Sequence, residues 1–222
     1  MKKGKNLRSV NTDGGVNLQF KLLSAIGIII IVSGHCYHGG MELAYNWFPP
    51  YSYNLALFVF ISGYFYKTDY EENVGKYIWK RTKRLLIPAY LWNIFYGGMV
   101  AFLGLFGFTI GAKPDLYNLF VMPFVDGEAF QYNLGSWFVY PLFLVCIINV
   151  LFRKFLKLIH LDNEFIVLIV YLAIGMIGIN TAIGNPTAIN GIVKLLVRTM
   201  SFLPCYEFGR FYKAVLEKKD TL

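Results

Sequence analysis

The sequence has 222 residues, enough for one or two soluble domains, but its composition is that of a membrane protein. Apolar residues make up 56% of the chain and charged residues only 15%, which leaves too few polar groups to cover a surface in water. In a soluble protein, a formal net charge of +8 would indicate nucleic acid or a membrane surface as the partner. The three cysteines, Cys36, Cys146 and Cys205, are too far apart in sequence to support a disulfide framework or a zinc site.

Six apolar windows have the character of membrane spans, for which about 20 mostly apolar residues are needed. They cover residues 18–37, 53–66, 85–108, 134–152, 165–183 and 189–212. The second window is short and spans only if the bilayer thins or its tyrosines anchor both ends in the interfaces. We therefore predict an all-α fold, a polytopic integral membrane helical bundle of about six transmembrane helices.

The basic residues predict the orientation of these spans. They concentrate in segments 1–17, 67–84, 153–157 and 210–219, whereas the opposite loops hold only Lys113. Such alternation places the basic segments and both termini in the cytoplasm. The positive charge is then explained by topology and by contact with membrane lipids, and no nucleic-acid partner is expected.

The same alternation divides the chain into three parts. Residues 1–17 form a cytoplasmic N-terminal tail, residues 18–212 the membrane domain and residues 213–222 a cytoplasmic C-terminal tail. Within the outer loop after the third span, residues 116–125 are apolar but too short to cross, which indicates an interfacial or re-entrant segment.

Two histidines are the first candidates for chemistry. His35 and His38 lie three residues apart at the outer end of the first span, so they share a helix face. A neutral imidazole is the usual general base, and a polar group at membrane depth indicates function. The alternative is a hydrogen-bonded interfacial histidine. No metal is predicted, because no third ligand lies at a recognisable spacing.

The sixth span carries charges that are costly inside a bilayer. Lys194 is close enough to the surface to snorkel, whereas Arg198 is expected to meet a substrate anion or a partner on another helix. Glu207 and Arg210 are three residues apart, and the spacing predicts that they pair with each other.

Four stretches, taken in order, resemble the membrane-bound acyltransferase-3 family. They are IGIIIIVSGH at 26–35, FVFISGYF at 58–65, KRTKRLLIPAYLW at 80–92 and SWFVYPL at 136–142. The resemblance covers residues 21–212, and members of this family O-acylate cell-surface and exported glycans. It implies a bacterial inner-membrane enzyme that transfers an acyl group, expected to be acetyl, from acyl-CoA to a hydroxyl of an exported or lipid-linked glycan.

The resemblance also implies roles for particular residues. His35 would be the catalytic base, and Ser62 a hydrogen-bond donor to the oxyanion or an acyl carrier, unless its hydroxyl bonds its own helix backbone. Arg81 and Arg84 would hold the coenzyme A phosphates, unless they serve only as cytoplasmic anchors. His38 and Arg198 are the expected substrate-binding residues.

Two departures from the family pattern leave alternatives open. The family places an arginine where this chain has Ser24, and Lys21 is the nearby cation. The family core has about ten spans against the six predicted here, so the resemblance predicts that further helices are missing. The chain could then be an inactive remnant, or a non-catalytic subunit whose partner chain supplies those helices. A small transporter or channel is the third possibility.

Overall fold

A computed structural model describes residues 18–36, 50–108, 111, 113–184, 187 and 189–217 of the chain. Its α-helices are α1 (Leu18–Cys36), α2 (Pro50–Tyr64), α3 (Val74–Arg81), α4 (Ile87–Leu105), α5 (Met122–Val125), α6 (Val139–Leu158), α7 (Glu164–Gly184) and α8 (Gly191–Phe211). Shorter 3₁₀ or π-helical segments cover Thr68–Tyr70, Thr82–Leu86, Tyr117–Val121, Gln131–Phe138 and Tyr212–Leu216. The described residues contain no β-strand, so the predicted all-α fold is confirmed.

All six predicted spans are helical, but three of them fall short of a full span in length or composition. The helices long and apolar enough to cross a membrane are Val74–Leu105, Gln131–Leu158 and Glu164–Gly184. Leu18–Val32 and Asn54–Tyr64 are shorter apolar helices. Helix α8 has 21 residues, but its charged side chains lower its hydropathy. The protein is therefore a helical membrane bundle with three strongly apolar spans in its described part.

Helix α8 lies inside the bundle, where it packs against α2, α6 and α7. At the contact with α2, the backbones of the two helices touch directly. A side-chain carbon added at Gly63 would overlap the Tyr206 carbonyl, and one added at Gly209 would overlap the Phe60 carbonyl. Small residues permit such close approach between membrane helices. This contact fixes the end of α2 against the middle of the bundle.

The connecting segments gather at two ends of the bundle. At one end, which we name the basic end, residues 65–73, 159–163 and 212–217 meet. Arg210 there lies 3.6 Å from the Glu71 carboxylate, and the Tyr64 hydroxyl donates to Glu217 at 2.6 Å. The opposite end carries the ion pair between Lys194 and Glu128. Basic segments that the sequence assigns to one side of the membrane thus lie together.

Residues 114–125 fold back along α4. Pro114 and Leu119 face Gly97, and the amide of the buried Asn93 donates to the Leu119 carbonyl at 2.8 Å. Asn93 in turn accepts a 2.7 Å hydrogen bond from the Asn133 amide. The apolar segment predicted to be interfacial or re-entrant therefore packs on a spanning helix instead of crossing by itself.

Candidate functional site

Three of the residues singled out in the sequence meet at one cavity. The cavity has a volume of about 240 Å³ and lies at the basic end, between the end of α2 and the α3–α4 junction. Its lining residues are Ile61, Ser62, Phe65, Tyr70, Lys80, Arg81 and Arg84. These include three cations and no carboxylate, so we name it the cationic cavity. Such a lining favours an anion, and guanidinium groups match phosphate oxygens in geometry.

Arg81 is held in place by tyrosine side chains. Its Nε donates to the Tyr77 hydroxyl at 3.0 Å, and its guanidinium carbon lies 5.1 Å from the centre of the Tyr77 ring. The Tyr77 hydroxyl lies 3.3 Å from that of Tyr206, which is fully buried in α8. Within the described part of the chain, the terminal nitrogens of Arg81 make no hydrogen bond. They are therefore available to a ligand.

Lys80 and Tyr70 form a second wall of the cationic cavity. Lys80 Nζ donates to the Tyr70 hydroxyl at 3.1 Å, and the Tyr70 ring stacks on Tyr77 with 4.5 Å between ring centres. Arg84 is exposed and lies in the π-helical turn Thr82–Leu86, a type of turn frequent at functional sites. Tyr70 could not be predicted from the sequence, because it lies in a connection without a periodic pattern.

Ser62 is half-buried, and its hydroxyl makes no hydrogen bond to a described residue. Ser24 differs, because its Oγ donates to the Phe20 carbonyl four residues earlier at 2.7 Å. Among the described residues, no hydrogen bond joins the Ser62 hydroxyl to the backbone of α2, which was the alternative to a role in the site. Ser62 faces the cationic cavity instead.

A second groove, about 350 Å³ in volume, separates α1 from α2. It is lined by Phe20, Lys21, Ser24, Ala25, Ile28, Ile61 and Phe65. Ile61 and Phe65 also line the cationic cavity, so the two spaces adjoin. Ser24, at which the resemblance in sequence implies an arginine, lies in this α1–α2 groove together with Lys21.

The helix register separates His35 from Ser62. Helices α1 and α2 run antiparallel, because the ring centres of Phe20 and Tyr64 lie 4.3 Å apart while Gly27 faces Phe58. His35 follows Gly27 by eight residues and Ser62 follows Phe58 by four, so the two positions are about 18 Å apart along the axes. Only the backbone of His35 is described, and His38 lies outside the described residues. The structure thus joins Ser62 with Arg81 and Arg84 but leaves His35 toward the opposite end.

Arg198 lies near the opposite end and is bound by its own chain. Its Nη1 donates to the Gly127 carbonyl at 2.6 Å, and its guanidinium carbon lies 4.3 Å above the Trp137 ring. Its neighbour Lys194 pairs with Glu128. Arg198 therefore meets an internal partner, which is one of the two outcomes that the sequence left open.

The predicted pairing of Glu207 with Arg210 is wrong. The Glu207 carboxylate binds Arg153, a fully buried residue of α6 that also contacts Asp162 at 3.0 Å and Glu164 at 2.6 Å. Arg210 binds Glu164 instead, at 3.0 Å. Spacing within one helix favours local pairs, but α6 and α7 both pack on α8 and supply the partners: Arg153 for Glu207 and Glu164 for Arg210.

Apolar spanning helices and a cavity lined by three cations at one end of the bundle define a polytopic membrane protein. A comparison with family models identifies the class further: the acyltransferase domain of acyltransferase family 3 matches residues 17–222. The chain therefore belongs to acyltransferase family 3, and it is a membrane acyltransferase. Neither the curated proteins nor the solved structures contain a match to it.

Proposed function

We propose that this chain is an O-acyltransferase of the bacterial inner membrane. It transfers an acyl group, acetyl as the expected one, from acyl-CoA to a hydroxyl of an exported or lipid-linked glycan. The observation that carries the proposal is the cationic cavity, in which Ser62, Arg81 and Arg84 meet. In this proposal the basic end and both termini face the cytoplasm, where acyl-CoA is found.

The cationic cavity is the proposed donor site. Arg81 and Arg84 bind the coenzyme A phosphates through charge-assisted hydrogen bonds, and Lys80 adds a third positive charge. An offset of about 18 Å is too long for one thioester carbonyl to meet both Ser62 and His35. We therefore assign Ser62 to hydrogen bonding with the bound donor instead of the reacting carbonyl.

The α1–α2 groove is the proposed route of the pantetheine arm. It adjoins the cationic cavity at Ile61 and Phe65 and continues beside Ser24 and Ile28 along α1. His35 lies farther along the same helix, toward the opposite end. A flexible arm that follows this groove carries the thioester from the phosphate site toward the histidine.

His35 is the proposed base. Its neutral imidazole takes the proton of the acceptor hydroxyl while the hydroxyl oxygen attacks the thioester carbonyl. The new C–O bond forms the ester, the C–S bond breaks, and the proton passes to the leaving sulfur to give free coenzyme A. A positioned general base contributes about 10²- to 10⁴-fold in rate.

The direct test measures transfer of radiolabel from acetyl-CoA into glycan and lipid in membranes that contain this chain. Arg81→Gln and Arg84→Gln should raise the donor KM about tenfold or more, the loss expected for a charge-assisted hydrogen bond. His35→Ala should abolish transfer at matched protein level. Lys83→Gln is the matched control, because Lys83 lies over the Trp79 ring and does not line the cavity. Donor KM values in Arg81→Gln and Arg84→Gln that equal those of the unchanged chain and of Lys83→Gln would contradict the proposed donor site.

A second candidate is a non-catalytic subunit that binds acyl-CoA and needs a partner chain, or an inactive remnant. Ser24 favours it, because a hydroxyl that donates to the Phe20 carbonyl replaces the family arginine. This candidate predicts donor binding without transfer by the chain alone. Co-expression with the protein of a neighbouring membrane gene would restore transfer for the subunit and leave the remnant inactive.

A further inference from the structure

A lipid-facing groove lies on α6 at the basic end, apart from the cationic cavity. It has a volume of about 470 Å³ and is lined by Glu71, Glu72, Leu151, Lys154, Phe155, Lys157 and Leu158. Leu151, Phe155 and Leu158 are 50%, 55% and 78% exposed and lie one turn apart on one face of a spanning helix. Apolar side chains that are exposed on a membrane helix meet acyl chains.

The rim of this groove carries two carboxylates and two ammonium groups. Lys154 and Lys157 belong to the last turns of α6, and Glu71 and Glu72 to the connection between α2 and α3. Lys154 and Glu72 are exposed and make no ion pair within the described part of the chain. The rim is therefore neutral overall and presents both signs of charge where a spanning helix ends.

Glu71 supplies an independent indication of a ligand. It is 3% exposed, and its Oε2 has no hydrogen-bond partner among the described residues. Lys157 Nζ lies 3.9 Å from that oxygen, beyond hydrogen-bond distance. A buried carboxylate oxygen without a donor is costly, and a ligand N–H group at the rim would remove that cost.

We propose that the groove binds a phospholipid with a primary ammonium headgroup, phosphatidylethanolamine being the chemical type. Its phosphate contacts Lys154 and Lys157, its ammonium donates to Glu71 and Glu72, and its chains lie along the apolar face of α6. A phosphatidylglycerol headgroup lacks the ammonium that would balance the carboxylates. A phosphatidylcholine headgroup has no N–H group to donate.

The test uses the full chain, purified in detergent and incubated with an equimolar mixture of phosphatidylethanolamine, phosphatidylglycerol and phosphatidylcholine. Native mass spectrometry then counts the retained lipid. Phosphatidylethanolamine should be retained at least about threefold over each of the other two, the discrimination expected from partly exposed charge pairs. Glu72→Gln and Lys154→Gln should each reduce this preference, and both residues are exposed, so the fold should be kept.

Lys83→Gln, which removes a cation at the same end but outside the groove, should leave the preference unchanged. Equal retention of the three lipids would overturn the proposal, as would a preference for phosphatidylglycerol or a preference that survives both groove variants. None of these residues lines the cationic cavity, so the outcome is independent of the proposed acyl transfer.

Discussion

Arg81 Nε donates a 3.0 Å hydrogen bond to the Tyr77 hydroxyl, so the guanidinium that lines the cationic cavity is held by a residue one turn earlier on α3. The same hydroxyl lies beside Tyr206 of α8. The cavity wall is thereby joined to the centre of the bundle through two phenol groups. Arg81 consequently depends on residues that do not themselves line the cavity.

Tyr77→Phe should raise the donor KM while changing kcat little, because it frees the Arg81 guanidinium without removing it. Loss of one hydrogen bond to a charged group, worth about 1.5 kcal/mol, predicts an increase of about tenfold in the donor KM. Donor KM and kcat from acetyl-CoA titrations measure the effect. Tyr90→Phe is the control, since its hydroxyl donates to the Phe120 carbonyl far from the cavity. An unchanged donor KM in Tyr77→Phe would argue against this positioning role.

Arg153→Met should strongly destabilise the bundle. Arg153 is fully buried and contacts three carboxylates, which would lose their common partner. Removing one member of a buried ion pair costs about 3–5 kcal/mol. Thermal unfolding in detergent measures the loss, and Lys76→Met, at an exposed position, should have little effect. Adding Glu207→Leu to Arg153→Met should recover part of the stability, and no recovery would contradict the buried pair.

Gly63→Ala should disrupt the packing of α2 on α8. The added methyl group would overlap the Tyr206 carbonyl, and a backbone atom cannot move aside as a flexible side chain can. We expect a loss of about 1–3 kcal/mol, typical of overpacking. Folded yield after gel filtration reports the effect. At Gly98 the added carbon would meet nothing within 4 Å, so Gly98→Ala should be tolerated.

The stability of the basic end should depend on pH through Glu71. Burial raises the pKa of its carboxyl above the ordinary value, and Arg210 and Lys157 offset part of this effect. Between the ordinary and the raised pKa the folded protein binds a proton that the unfolded chain releases. The contribution of Glu71 is therefore present in full below the ordinary value and is lost as the pH rises through the raised one.

Unfolding temperatures measured across a pH series should accordingly fall with rising pH in this window. Glu71→Gln should flatten the slope, whereas Glu72→Gln, at the exposed neighbour, should keep it. A slope that persists in Glu71→Gln would assign the dependence to another group.

Membrane orientation can be tested with reporters fused within the two kinds of loop. A reporter after Gly40 should give a non-cytoplasmic signal, and one after His160 a cytoplasmic signal, because the basic segments favour the cytoplasm. The reverse pattern would move the cationic cavity away from the acyl-CoA pool and contradict the proposed donor site.

The helices could be predicted from the sequence because apolar runs of span length have few other stable solutions in a membrane protein. That residues 116–125 do not cross by themselves also followed from the sequence, since ten apolar residues are too few to span, but their packing on α4 did not. The partners of the charged residues on α8 could not be predicted. The spacing of residues along one helix does not say which helices pack beside it, so the pairing of Glu207 with Arg153 of α6 is known only from the structure.

The candidate site was predictable only in part, for a similar reason. Ser62 lies in a different stretch of the sequence from Arg81 and Arg84, and the α2–α3 connection brings the three together. The contacts of Tyr70 with Lys80 and of Tyr77 with Arg81 could not be predicted. A tyrosine near basic residues can either position a cation or anchor the chain at the membrane interface, and its spacing in the sequence is the same in both cases. The distance between Ser62 and His35 needed the register of α1 on α2, which the side-chain contacts provide.

The backbone contact at Gly63 and Gly209 restricts which parts of the cationic cavity can move. With no side chain between α2 and α8 at these points, there is nothing compressible to yield, so the two helices should move as one body. Ser62 then belongs to a fixed wall, and Arg81 on the facing wall is joined to α8 through Tyr77 and Tyr206. We therefore expect a ligand to enter the cationic cavity past the exposed Arg84 side chain.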